Sequence, residues 1–180
     1  GNVATLRELG VRHDFEVAPL SLVPRTDGPD EPISSTAIRR AMAGGQVELA
    51  AQMLGRPFEA RGIVGHGDQR GRQLGFPTAN VEVSASICLP ADGVYAGWYE
   101  RADGSRHMTA INLGRRPTFY EHADKSMLEA HLIDFNDDLY GETAKVCFTN
   151  FLRSERKFDG IDALRIQLKQ DVDHARTVLA

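Results

Sequence analysis

The chain has 180 residues, 42% of them hydrophobic, and a formal net charge of −4. That length supports one ordinary core with a small appendage and excludes two large domains. The acidic balance excludes the global basic field that gathers nucleic acid or an anionic membrane surface. A phosphate ligand would therefore have to be held locally. Arginine supplies 17 of the 21 basic residues; its planar fork suits phosphate, and genome composition explains the bias equally well. Cys88 and Cys147 stand far apart in no metal-ligand spacing, which argues against a disulfide scaffold or zinc and for ordinary core or strand positions. No signal peptide or bilayer-length apolar run occurs, so a soluble cytoplasmic protein is expected.

Residues 1–56 read differently from the rest. VATLRELG predicts a short helix with a glycine stop, and DFEVAPLSLV a partly alternating strand, followed by the polar loop PRTDGPDEP. ISSTAIRRAMAGGQVELAAQMLGR then predicts a serine-capped helix, a break at Gly44 and Gly45, and a second helix ending at Gly55. A strand followed by two helices is typical of the end of an α/β unit, and such a strand needs parallel neighbours. The N-terminal piece is expected to be the tail of a domain whose beginning is missing, and Gly1 is not a natural start.

From Pro57 the texture becomes strand-like: FEARGIVG, NVEVS, GVYAGWYE, RHMTAINLG, MLEAHLID and AKVCFTNFL, separated by turn residues such as Asp103-Gly104. Six short runs at this spacing predict a closed antiparallel barrel, since closure removes exposed edges. After Phe158, Asp159 is placed to cap a helix whose apolar positions Ile161, Leu164, Leu168, Val172 and Ala175 form one stripe for packing on the barrel.

Three segments can carry chemistry. In GHGDQRGRQLGFPTAN, glycines 65, 67, 71 and 75 let backbone N–H groups approach an anion, as a phosphate-binding loop needs and as a plain hairpin loop would also show. The stretch is neither a Walker loop nor a dinucleotide fingerprint. Phe76-Pro77 stiffens the entry to a strand on which Thr78 and Asn80 share a face; two neutral oxygens suit magnesium, or simply close a loop by hydrogen bonds. In MLEAHLIDFNDDLYGE, Glu129 and His131 share a face. Glu129 is either a solvated carboxylate or a general base for phosphoryl transfer, and His131 is structural or a support for Glu129. In FLRSERKFD, Arg153, Arg156 and Lys157 interleave with Phe151 and Phe158, which suits a planar electron-poor ring or a phosphate, or a solvated loop.

Together these pieces resemble the riboflavin kinase module of bacterial bifunctional FAD synthetases. The resemblance covers roughly Gly55 to Ala180 through GHGDQRGRQLGFPTAN, LPADGVYAGW, INLGRRPTF, LEAHLIDFNDDLYGE and FLRSERKFDGIDAL. It implies a mainly β fold, a six-stranded antiparallel barrel with a C-terminal helix over residues 57–180. It also implies transfer of the ATP γ-phosphate to the ribityl 5′-hydroxyl of riboflavin, giving FMN and ADP with Mg2+. By the resemblance Thr78 and Asn80 bind magnesium and ATP phosphates, Gly65, Gly67, Gly71, Arg72 and Gly75 cradle the nucleotide, Glu129 is the catalytic base, and Arg153, Glu155 and Phe158 lie on a flap at the flavin side. ISSTAIR resembles the closing motif of the adenylyltransferase module that precedes the kinase in such enzymes, so Ser34, Ser35 and Arg39 are expected as remnants of that second site. No histidine-rich nucleotide loop precedes them, and FMN adenylylation by the chain as given is not expected. A flavin or nucleotide binder without turnover, and a small barrel binding single-stranded nucleic acid, are the competing readings; the acidic charge and sparse aromatics oppose the latter.

Overall fold

The computed structural model describes residues 2–21, 23–24, 32–67, 70–115 and 126–180. They divide into two compact units, Gly1–Ser34 and Ser35–Ala180. In the first, α1 (Val3–His13) is capped by Asn2, whose Oδ1 accepts the Thr5 N–H at 2.9 Å. Arg12 and His13 in its last turn face the negative end of the helix dipole. The strand expected over residues 14–23 is not formed: residues 15–21 and 23–24 carry no regular structure. No neighbouring strand among the described residues accepts its backbone bonds, and an unpaired strand gains nothing to offset its ordering entropy.

The second unit begins with the expected helix pair, α2 (Ser35–Ala43) and α3 (Val47–Leu54). Gly45 breaks them at a φ of +73°, and a Cβ there would lie 3.3 Å from the Tyr95 hydroxyl and 3.5 Å from the Phe151 ring. Glycine thus both turns the chain and lets the pair seat closely. Gly55, at φ +69°, ends α3. Met42, Val47 and Ala50 are buried, and α3 packs on two strands of the barrel that follows. The compact unit therefore starts at Ser35, ahead of the change in sequence texture at residue 57.

The six predicted runs are six strands: β1 (Phe58–Gly65), β2 (Ala79–Val83), β3 (Gly93–Glu100), β4 (Arg106–Arg115), β5 (Ser126–Leu132) and β6 (Thr143–Arg153). They close in the order β1-β2-β5-β4-β3-β6, antiparallel throughout. Alternation sends one face of each strand inward, where Val64, Val81, Tyr95, Ile111, Leu128 and Phe148 are buried. The β3–β4 hairpin turns at Asp103-Gly104, with Gly104 at φ +85° and Asp103 Oδ1 accepting the Ser105 N–H at 2.8 Å. Between β1 and β2, where the sequence predicts only a loop, lies a single helical turn, α4 (Arg70–Leu74).

The terminal helix α5 (Ile161–Leu179) covers the barrel, with Ala175 buried against Ala96, Ala110 and Ile133. Two expectations are corrected here. The N-cap is Gly160, at a φ of 115° and with no side-chain cap, so Asp159 does not cap the helix; the turn into α5 needs a backbone conformation that an L side chain rarely adopts. Ile161 is 65% exposed, and the buried stripe contains two polar residues, Gln167 and Asp171. Cys147 is half-buried on β6, but Cys88 is exposed outside the strands and is no core residue.

Candidate active site

Register assembles the site. Reading across the barrel, Gly65 on β1 faces Asn80 on β2, Asn80 faces Glu129 on β5, and Glu129 faces Asn112 on β4. Asn112 faces Val94 on β3, and Val94 faces Arg153 on β6, beyond a bulge. Directly opposed residues project to the same side of a sheet. The next row, Val81, Leu128 and Leu113, is buried inside the barrel, so the row holding Asn80, Glu129 and Asn112 faces outward. Four residues singled out from sequence, Gly65, Asn80, Glu129 and Arg153, stand on this one row. Asn112 was missed; its signal is a polar residue in the otherwise apolar run AINL.

The glycine segment folds back over PTAN. A Cβ on Gly67 would overlap the Asn80 carboxamide, and one on Gly71 would meet the Phe76 carbonyl and come within 3.5 Å of Thr78 Oγ1. Glycine is needed there so that backbone can approach these side chains closely. Gly75 ends α4 at φ +88°. Thr78 and Asn80 line a hollow together with Arg72, Phe135, Asp137 and Tyr140, and the His66 ring stacks on Tyr140 at 4.1 Å. Asn80 Oδ1 is buried without a hydrogen-bond partner, an unsatisfied acceptor of the kind that calls for an explanation.

His131 holds the entry to this segment. Its Nδ1 lies 2.8 Å from the Pro77 carbonyl, to which it donates, and its ring meets Phe76 edge-on at 5.5 Å. Burial pulls its pKa below the ordinary 6.5, against an opposing pull from the Pro77 bond and Asp134. The folded state thus disfavours the imidazolium: this contribution to stability is complete above the ordinary pKa and lost as pH falls through the folded one. His131→Phe, which strands the Pro77 carbonyl, is expected to cost about 1–3 kcal/mol. Thermal melts taken from about pH 7 to about pH 5 should then fall less steeply for the variant than for the parent; equal slopes would mean that His131 is not held neutral.

On the other side of Glu129 the chain leaves β6 through the segment expected to be a flap, whose residues 154–158 carry no regular structure. Glu155 folds back so that its carboxylate rests on Gly114 of β4, where a Cβ would collide with Oε1. Its pKa is raised, first by burial, then by Asp92 and, after relief from Arg153, by Glu129. Arg153 and Arg156 lie over the Phe158 ring, 5.7 and 5.0 Å from its centroid. Arg153 also pairs with Asp171 on α5 at 2.6 Å, a contact with no counterpart in local sequence pattern. At the bulge before it, the Phe151 N–H donates to Glu48 of α3 at 2.8 Å. Ser35 and Arg39 are exposed on α2, and Ser34 belongs to the N-terminal unit.

The family of riboflavin kinases, or flavokinases, matches residues 54–179. This chain belongs to the riboflavin kinase family. The bifunctional riboflavin kinase/FMN adenylyltransferase of Bacillus subtilis is 43% identical over 156 residues, covering 86% of this chain and 49% of that protein. The corresponding Escherichia coli K12 protein is 36% identical over 98% of this chain and 54% of its own length. The chain therefore spans about half the length of the curated relatives it matches. Riboflavin kinase from Trypanosoma brucei has a related structure, with a TM-score of 0.52 and 29% identity over 68% of this chain and 80% of that one. The closed six-stranded barrel with its C-terminal helix is the riboflavin kinase fold. No helix among the described residues is long and apolar enough to cross a membrane.

The PTAN residues fit a hard cation. Asn80 Oδ1 is a buried acceptor lacking a donor, Thr78 adds a neutral oxygen in the same hollow, and neutral oxygens leave room for phosphate and water ligands, as magnesium prefers.

Proposed function

We propose that this chain transfers the γ-phosphate of ATP to the ribityl 5′-hydroxyl of riboflavin, yielding FMN and ADP. The observation that carries the reading is the pairing of Asn80 with Glu129 across β2 and β5, which puts the two side chains on the same side of neighbouring strands, with the flap beyond. The glycine segment with Arg72 covers the ATP phosphates, Thr78 and Asn80 hold Mg2+, and Arg153, Glu155 and Phe158 belong to the flavin-side flap. Magnesium bound there would neutralise charge on the transferring phosphoryl group.

Glu129 accepts the proton of the 5′-hydroxyl as that oxygen bonds to the γ-phosphorus; the bond from phosphorus to the β–γ bridging oxygen breaks, and ADP departs with its electron pair. Most of the acceleration comes from alignment, because phosphoryl transfer asks little covalent chemistry of the protein. The row supplies that alignment rigidly, since its residues are strand positions rather than loop positions. The flap and the glycine segment exclude water, which limits ATP hydrolysis. The reaction draws on cytoplasmic ATP, and FMN rather than FAD is the product proposed for these 180 residues by themselves.

Incubation with ATP, Mg2+ and riboflavin should give FMN and ADP in equal amounts and no FAD. Saturable riboflavin binding without FMN would instead support a flavin-binding module lacking turnover.

A further inference from the structure

The flap is tied to the C-terminal helix by a buried polar network. Arg153, the last residue of β6, donates from Nε at 2.9 Å and from Nη2 at 2.6 Å to the two oxygens of Asp171 on α5. Such a fork fixes direction as well as distance. Gln167, one helical turn earlier, donates from Nε2 to Asp171 Oδ1 at 2.7 Å and accepts on its own Oε1 from Arg156. Asp171 is 5% exposed and Gln167 8%. Both guanidinium groups lie over Phe158. Three flap residues, 153, 156 and 158, are thereby joined to two buried residues of α5.

Stability alone does not account for this arrangement, because an apolar pair of similar volume at a buried site is often as stable or more so. What the network uniquely sets is the flap's path. Arg153 ends the cross-strand row that holds Glu129 and Asn112. Two residues later, Glu155 already rests on Gly114, the residue two positions beyond Asn112 on β4. We propose that Asp171, supported by Gln167, is a positioning residue that holds the flap closed beside Glu129 for riboflavin. Arg153 serves the flavin by anchoring the flap of which it is part, with its guanidinium committed to α5. The inference rests on the kinase reading above for its functional consequence.

If the flap is closed only part of the time, the apparent affinity for riboflavin falls by that fraction, while bound substrate still reacts. Asp171→Asn is expected to raise the KM for riboflavin about tenfold, with the KM for ATP and kcat within about twofold. In the same protein, amides of residues 151–158 should exchange with solvent about tenfold faster or more, and those of β2 and β5 at the parent rate. Unchanged flap exchange with an unchanged riboflavin KM overturns the proposal, as does an equal rise in both KM values. Should Asp171→Asn not fold, Gln167→Leu removes only the bridging amide and should give smaller shifts in the same direction; no shift there overturns it too. A parent chain that makes no FMN sinks the kinase reading instead, and the exchange comparison then decides the clamp by itself.

Discussion

Glu129→Gln is expected to lower the rate of FMN formation by about 10²–10⁴-fold, the range lost when a positioned acid or base is removed. Glutamine keeps the size of the side chain and its place between Asn80 and Asn112, but offers no carboxylate to receive the hydroxyl proton. The loss should fall on kcat, with both KM values within about threefold, because the carboxylate is needed in the transition state rather than for binding. Equilibrium binding of riboflavin, followed by flavin fluorescence, should persist. The substitution also removes one of the charges that raise the Glu155 pKa, so Glu155 should ionise more readily. A variant that retains more than about a tenth of the parent rate would place the base elsewhere.

Asn80→Ala is expected to lower kcat/KM for ATP by about 10²-fold or more, in the range found when one electrostatic contact to a reacting group is deleted. Its effect should differ in kind from that of Glu129→Gln. The concentration of Mg2+ giving half-maximal rate should rise with the KM for ATP, while riboflavin binding stays as in the parent. Because Asn80 Oδ1 is a buried acceptor with no hydrogen bond within the fold, its removal relieves an unpaired group, and any fall in melting temperature from the lost packing under Gly67 should be small. An unchanged Mg2+ dependence would show that Asn80 is not a metal ligand and would leave Thr78 and the phosphates to account for metal binding.

These two variants probe neighbours that are 49 residues apart in the chain, and that distance marks the limit of what local pattern conveys. The strand β1 was legible from FEARGIVG alone, and its bounds, Phe58–Gly65, match that run. Alternation and turn residues are properties of a few consecutive positions, so they survive without tertiary context. The strand predicted from DFEVAPLSLV shows the converse. Its partial alternation was readable too, yet residues 15–21 carry no strand, because a strand is stabilised by partners that alternation does not supply.

The C-terminal helix makes the same point about the site. A stripe of Leu164, Leu168, Val172 and Ala175 identified α5 and its buried side, but Gln167 and Asp171 fall within that side and are the residues that reach the flap. A polar residue in an apolar stripe was visible in the letters. Its partner was not, since Arg153 lies 18 positions away and meets Asp171 only when β6 and α5 pack together. Likewise the glycines of GHGDQRGRQLGFPTAN announced a backbone able to approach an anion or to turn a plain hairpin; the fold adds that Gly67 lies against the Asn80 side chain and Gly71 against the Phe76 carbonyl and Thr78.

By itself, then, the sequence determined the six strands, the closing helix, the glycine segment and the chemical types Thr78, Asn80 and Glu129, because hydrophobic period, turn chemistry and motif are short-range. Only the tertiary structure decided that Gly65, Asn80, Glu129, Asn112, Val94 and Arg153 form one row. The pairings β2–β5, β1–β6 and β3–β6 join strands that are not consecutive. Their register is set by barrel closure and by burial of the inward row, since a slip of one residue would turn the buried face outward.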